Sequence, residues 1–267
     1  MHAVGIDIGG TKIAAGVVDA QGALLATTRR DTNPEEPSDI EDAVVDAVAE
    51  LRRDFEVSAV GVAAAGFVDP TRSKVMFAPN IAWRDYPLRE ILEARLELPV
   101  DVENDANAAG WGEFRFGAGR DVSDMVMLTV GTGLGGAIVL DGNLLRGAAG
   151  AAAEVGHMRV VPNGRACGCG HDGCWETYVS GTALVRETRA ALATDPARAE
   201  RLLELAGGKA KRVTGPHVTA AAAEGDPLAV EMLTDLGRWL GAGMAALSAV
   251  LDPAMYVIGG GVGAAGD

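Results

Sequence analysis

Hydrophobic and polar positions change period several times along the 267-residue chain, and each change marks an element. Residues 3–9, AVGIDIG, form an apolar run that ends in glycine, as a strand does. Residues 12–30, KIAAGVVDAQGALLATTRR, predict two more strands around an AQG turn. From residue 38 the period lengthens. Ile40, Val44, Ala47, Val48, Leu51 and Phe55 share one face of a helix over 38–55, with Ser38 and Glu41 as a capping box. VSAVGVAAAG (57–66) predicts a buried strand, so the first lobe reads β-β-β-α-β.

PVDVEND predicts a further short strand leading into the helix DANAAGWGEFRF, which stops at GAGR. DMVMLTV and AIVLDGNLL read as two strands around the glycine turn GTGLGG. Two long helical stretches follow, ETYVSGTALVRETRAALA and DPLAVEMLTDLGRWLGAGMAALSAVL. The second has Asp226 as N-cap and Pro227 at the first helical position. AMYVIGGG is a last strand and glycine turn. GIDIGGTKIAAGVVDAQG and MLTVGTGLGGAIVLDGN repeat one pattern about 120 residues apart: strand, glycine turn, strand, Asp and a second turn. The repeat predicts a duplicated α/β architecture with lobes at 1–117 and 118–267, each half presenting a glycine turn to a shared cleft.

Composition narrows the function. With 48% hydrophobic and 22% charged residues the chain is globular. No apolar run is long enough to span a bilayer without glycine or charge, and the first residues lack a signal peptide's basic region. A net charge of −14 opposes nucleic acid binding. A soluble cytoplasmic protein is expected. The three cysteines, all within 167–174, make a poor disulfide framework, since any pair leaves a thiol over. Beside a histidine they read better as a metal site.

GTGLGG fits a dinucleotide fingerprint by letter, but a strand follows where that motif needs a helix. DIGGTK lacks the Walker A spacing to its lysine. Each glycine turn alone is compatible with an ordinary hairpin. Both also place Thr beside Gly, so that backbone N–H groups and a hydroxyl make an anion cradle. Asp7, at the end of the first strand, suits Mg²⁺ held through water.

The succession DIGGTK, ENDANAA, GTGLGG, EVGH with CGCGHDGCWE, and VIGGG resembles bacterial glucokinases of the ROK family (repressor, open reading frame, kinase) over essentially the whole chain. The cysteine-rich segment is the most specific of these signals. The resemblance implies an actin/hexokinase-like (ribonuclease H-like) duplicated two-lobe fold with an interlobe cleft. It also implies ATP-dependent phosphorylation of glucose with Mg²⁺, and a homo-oligomer in the full-length form. It assigns Asp105 as general base and Gly66, Asn80, Asn104, Glu154, His157 and Glu176 as sugar contacts. Asp7, Gly9, Gly10, Thr11, Lys12, Thr132, Gly133, Gly260 and Gly261 fall on the nucleotide side. His157, Cys167, Cys169 and Cys174 form a Cys₃His set suited to a structural, tetrahedral Zn²⁺ that braces the sugar site.

Other readings of single residues stay open at this stage. Asp105 suits a helix N-cap, Gly66 a close-packed strand end, and Asn80 a turn. Ala153 stands where the family usually has glycine. The chain ends at GGGVGAAGD, where relatives usually continue, so a partly walled adenosine pocket is expected. The rival functions are a sugar-responsive repressor of the same family, a kinase for fructose, mannose or N-acetylmannosamine, and a polyphosphate-dependent glucokinase. The first carries an N-terminal DNA-binding domain, whereas here the phosphate motif begins by residue 7. The last generally lacks the cysteine cluster.

Overall fold

The computed structural model describes residues 1–263. They fall into two compact units, residues 1–121 with 143–152, and residues 122–142 with the chain from 153 onward. Residues 143–152 thus group with the first unit although the hydrophobic pattern places them in the second lobe.

The first unit opens with the hairpin β1 (His2–Ile8) and β2 (Lys12–Val18), followed by β3 (Leu24–Asp31), helix α1 (Pro37–Leu51) and β4 (Val57–Ala64). Three short strands, β5 (Phe67–Val68), β6 (Val75–Phe77) and β7 (Arg84–Tyr86), make an antiparallel sheet of their own. Helix α2 (Leu88–Leu96), strand β8 (Val100–Asn104) and helix α3 (Asp105–Phe116) complete this stretch.

The main sheet runs β3-β2-β1-β4-β8, with β1, β4 and β8 parallel. Alternation decides its core face. Val4, Ile6 and Ile8 of β1 and Val100 and Val102 of β8 are buried, as the period-2 geometry of a strand requires. They pack with Ile40, Val44, Ala47, Val48 and Leu51 of α1 and with Leu88, Leu92 and Leu96 of α2. β4 alternates from Val60 onward, rather than being buried on both faces: Val60, Val62 and Ala64 point inward while Gly61 does not, and a register shift against β1 at the start of the strand turns Val57 inward as well. The opposite face, floored by Gly5, Gly16 and Gly61, opens on a cavity of about 550 Å³.

One capping expectation fails here. α1 begins at Pro37 with Glu36 as N-cap and no side-chain cap, so Ser38 and Glu41 make no capping box. Proline at the first helical position has no N–H to satisfy and is preset to helical φ, which starts the helix a residue early. Glu41 instead accepts hydrogen bonds from the Tyr86 hydroxyl and from Arg95.

The second unit is built around β9 (Met125–Val130), paired antiparallel with β10 (Leu134–Leu140). β11 (Asn143–Leu144) lies in the segment that groups with the first unit. Helices α4 (Gly181–Thr194), α5 (Glu200–Leu205), α6 (Gly215–Ala223) and α7 (Pro227–Leu251) follow, then β12 (Met255–Gly259) and the single turn α8 (Gly260–Gly263). β9 pairs antiparallel with β10 and parallel with β12, the same scheme by which β1 pairs with β2 and β4. The repeat in the sequence is therefore a repeat of strand pairing.

Two boundaries move inward from their expected places. β10 starts at Leu134, which shortens the glycine turn to residues 131–133. Gly136 lies within the strand, and it is glycine because a Cβ there would stand 2.5 Å from a methyl of Val155 and 2.9 Å from the Ala153 carbonyl. The stretch from Glu176 does not enter a helix at once: Trp175–Thr177 is a 3₁₀ turn, and α4 begins at Gly181, capped by Ser180. α7 keeps its expected cap, Asp226 accepting from the N–H groups of Leu228 and Ala229 at 3.1 and 3.0 Å. Among the described residues no helix is long and apolar enough to cross a membrane.

Candidate active site and metal centre

In the first unit the parallel strands end in one row, where Ile8, Ala64 and Asn104 are in register. The carboxyl edge of such a sheet is where α/β folds bind ligands. Asp7 lies one row below and two strands from the β8 end, at about 4.8 Å per strand. Asp105 follows β8 directly and opens α3. The cap of α3 is not Asp105 but Asn104, whose Oδ1 accepts from the Asn107 N–H at 3.0 Å. Asn104 Nδ2 donates to the Gly66 carbonyl and to Asp105 Oδ1, both at 3.1 Å. The asparagine thus fixes the strand-to-helix turn and leaves Asp105 free of capping duty.

Asp105 Oδ1 accepts from the Ala106 N–H at 2.9 Å. Its pKa is raised above the ordinary carboxylate value, first by loss of solvent around the carboxylate and further by the nearby negative charge of Asp7. The residue still keeps one side open to solvent. A carboxylate with raised proton affinity and an open side suits a proton acceptor. Loss of solvent raises the Asp7 pKa as well. Behind Asp105, Glu103 accepts from Arg146 at 2.7 Å and from the Asn104 N–H at 3.1 Å. The sequence pattern did not single out either residue of this ion pair.

Gly10, Thr11 and Asn80 line one cavity of about 680 Å³ together with Pro34, Glu35 and Arg84. Gly9, Gly10, Thr11 and Lys12 form the β1–β2 turn, closed by Gly9 N–H to the Lys12 carbonyl at 3.0 Å. Arg84 clasps the Asn80 loop, its Nη1 donating to the carbonyls of Ala78 and Trp83 at 3.0 and 2.5 Å. Gly66 is not in that cavity. A Cβ there would stand 2.5 Å from the Phe77 carbonyl, so close packing alone requires its glycine.

In the second unit, His157, Cys167, Cys169 and Cys174 bring one donor atom each within 4.8 Å of all the others. The His157 Nδ1 to Cys167 Sγ distance is 3.7 Å and the Cys169 to Cys174 sulfur distance 3.6 Å. Zinc–ligand bonds of about 2.0–2.3 Å give tetrahedral edges of about 3.6–3.8 Å. The donor set therefore fits zinc. Burial raises the thiol pKa of Cys167 and of Cys174. For Cys169 burial works the same way, but hydrogen bonds from His171 and the other two thiols bring it down to about 6. The protein alone thus favours one thiolate of the three, and a divalent cation would hold all three as thiolates.

Glu176 meets this cluster directly, Oε1 accepting from the Cys167 thiol at 3.0 Å. A Cβ on Gly133 would stand 2.8 Å from Glu176 Oε2, so the first glycine turn of this unit abuts the same carboxylate. Glu154 is the centre of an inverse γ-turn (φ −70°, ψ 53°), closed by the Val155 N–H to the Ala153 carbonyl at 2.7 Å. Ala153 itself has φ 68°, in the left-handed region that favours glycine.

Sequence reasoning missed Trp175. It is fully buried, donates its indole N–H to the Trp239 carbonyl at 2.9 Å, and lies against Gly243 of α7, where a Cβ would stand 2.1 Å from the ring. That contact anchors Glu176, the next residue. The signal was glycine in the interior of a long helix, which costs about 1 kcal/mol and so marks a close approach.

Thr132 and Gly261 line a separate cavity of about 1050 Å³ with Thr182, Val185, Arg189 and Pro216. Thr182 Oγ1 donates to the Thr132 carbonyl at 2.7 Å, which ties the start of α4 to the glycine turn. Gly260 has φ 88°, and a Cβ there would meet the Val130 carbonyl at 2.6 Å. The cavity's residues on α4 and α6 come from two separate stretches of sequence, and none of those was foreseen.

Known proteins match along this whole chain. A glucokinase of Streptomyces coelicolor is 51% identical over 264 residues, covering 99% of this chain and 83% of the relative. A ROK family glucokinase from Streptomyces griseus, solved in complex with glucose and AMPPNP, is 51% identical with a TM-score of 0.88, over 98% of this chain and 84% of that one. A ROK hexokinase from Thermus thermophilus is 36% identical with a TM-score of 0.80, over 98% and 82%. The pattern of the ROK family matches residues 3–267, and the chain belongs to that family.

Proposed function

We infer that this chain is a glucokinase, moving the γ-phosphoryl group of ATP to the C6 hydroxyl of glucose. The observation that carries the reading is Asp105: a carboxylate at the carboxyl edge of the sheet, released from capping by Asn104, with raised proton affinity. Phosphoryl transfer asks the protein for positioning, charge neutralisation and a proton acceptor. Asp105 takes the proton from the C6 hydroxyl as its oxygen attacks the γ-phosphorus, and the bond from that phosphorus to the β–γ bridging oxygen breaks to release ADP.

Similarity to the Streptomyces proteins, one of them solved with glucose and AMPPNP, supports the choice of sugar and donor. Asn80, Asn104, Glu154, His157 and Glu176 take the sugar hydroxyls in this reading, and Gly66 holds Asn104 through its carbonyl. Gly9, Gly10, Thr11 and Lys12, with Thr132, Gly133, Gly260 and Gly261, serve the nucleotide. Asp7, solvent-facing at the sheet edge, suits Mg²⁺ held through water. When bound, that ion neutralises phosphate charge. Zinc on His157, Cys167, Cys169 and Cys174 would be structural, since four protein donors leave no open position. The cluster then orients His157 and Glu176.

The test is a coupled assay for sugar phosphate with glucose, fructose, mannose and N-acetylmannosamine, each with ATP or polyphosphate. Glucose with ATP should give the highest kcat/KM. Absence of glucose 6-phosphate under those conditions would reject the assignment.

A further inference from the structure

The four zinc donors are not equally accessible. Cys174 is buried, Cys167 partly buried and Cys169 exposed. Beside Cys169 is a fifth donor that the four-atom set leaves out. His171 is exposed, and its Nδ1 lies 3.6 Å from Cys169 Sγ. The loop backbone holds it there: the Cys167 N–H donates to the His171 carbonyl at 2.8 Å, and Gly170 N–H returns to the Cys167 carbonyl at 3.1 Å. One sulfur and one nitrogen on a single tetrahedral zinc stand about 3.6 Å apart, from bonds of about 2.3 and 2.0–2.1 Å. The spacing at His171 is thus a zinc chelate bite, placed on the solvent side of the cage.

We propose that Cys169 and His171 form an entry clamp, which captures zinc at the surface and hands it to His157, Cys167 and Cys174. The inference rests on the zinc reading of the cluster. Cys169 releases its thiol proton to solvent as it binds, and His171 displaces a second water from the hydrated ion. Cys167 and Cys174 then lose their protons to solvent as they and His157 replace the remaining waters and His171. Cys169 stays bound throughout. Because His171 has no place in the final set, it acts on the path in both directions and leaves the equilibrium alone.

A hydrogen bond from His171 to the Cys169 sulfur, with no capture role, would act differently. Removing such an outer partner weakens metal affinity by about 10–100-fold and speeds release.

The experiment uses the full chain, as wild type and as His171→Ala and His171→Phe, the second keeping the bulk of the ring. Stopped-flow uptake of Zn²⁺ by the metal-free protein and removal from the loaded protein by a chromophoric chelator give the two rates, and chelator competition gives affinity. Circular dichroism of the loaded variants checks the fold, and removal starts from that folded state. Both variants should slow uptake and removal by the same factor, about tenfold, the scale on which a neighbouring group acts on a zinc site, with affinity unchanged. Rates equal to or faster than wild type, or weaker affinity with faster release, overturn the entry clamp while leaving the zinc site standing. A wild type that takes up no zinc overturns both.

Discussion

Asp105→Asn separates chemistry from folding more cleanly than any other change in the first unit. The side chain keeps its size, and its Oδ1 can still accept the Ala106 N–H that Asp105 now takes at 2.9 Å. The helix cap is untouched, because Asn104 provides it. The variant loses one negative charge at the first turn of α3, worth about 0.3–1 kcal/mol against the helix dipole. Linkage works the other way. The folded pKa of Asp105 is raised, so its contribution to stability is fully present below the ordinary carboxylate pKa and is lost as pH rises through the folded value. At neutral pH the ionised side chain therefore costs the folded state something, and the amide removes that cost. The two effects oppose, and urea unfolding should show a change of less than about 1 kcal/mol. Turnover should fall by about 10²–10⁴-fold, the scale of a lost general base. Glucose affinity, measured by equilibrium titration, should change little. A variant keeping more than about a tenth of wild-type turnover would show that the proton goes elsewhere.

Asp7→Asn tests the electrostatics of the same edge. Asp7 raises the Asp105 pKa by charge repulsion, second to loss of solvent. Its removal should move the acid limb of the kcat/KM–pH profile to lower pH, even as overall activity falls; an unmoved limb refutes the coupling. Gly243→Ala places a methyl 2.1 Å from the Trp175 ring. Overpacking of this kind costs about 1–3 kcal/mol, and the displaced Trp175 should raise the glucose KM by shifting Glu176. Normal stability and normal KM together would show that the contact positions nothing. Ala153→Gly relieves a left-handed backbone at φ 68°. Relief of about 1–2 kcal/mol, less about 0.4–1 kcal/mol for the freer unfolded chain, leaves a small net gain, read as a higher urea midpoint with unchanged slope. A lower midpoint would mean that the methyl packs usefully.

What could be seen in the sequence depended on how local each feature is. The convergence of His157 and the three cysteines was legible because three of these residues lie on an eight-residue, glycine-punctuated loop, where spacing alone brings the sulfurs close. The face of α1 was legible because one period runs through the helix, and its buried residues are five of the predicted six; the sixth, Phe55, lies beyond the helix, which ends at Leu51 rather than at 55. The start of that helix was misplaced because Pro37, not a side-chain cap, sets it. The β5–β7 sheet went unseen, since strands of two or three residues are too short to show a period. α2 carried a signal that was passed over, Leu88, Leu92 and Leu96 at intervals of four.

The acid site stands between these cases. ENDAN located Asp105, but the choice between cap and base turns on which of two adjacent side chains folds back onto the helix. The hydrogen bond from the Asn107 N–H to Asn104 Oδ1 gives the cap to Asn104, which leaves Asp105 open to the role of base proposed for it. Its electrostatics lie further from the sequence still. Asp7 and Asp105 are 98 positions apart, and they influence each other because β4 lies between β1 and β8 in parallel register. A strand slipped by one residue would turn Asp7 to the core face of the sheet. The buried Val4, Ile6 and Ile8 forbid that slip, since it would expose all three. Hydrophobic alternation in β1 thus sets the charge environment of the acid.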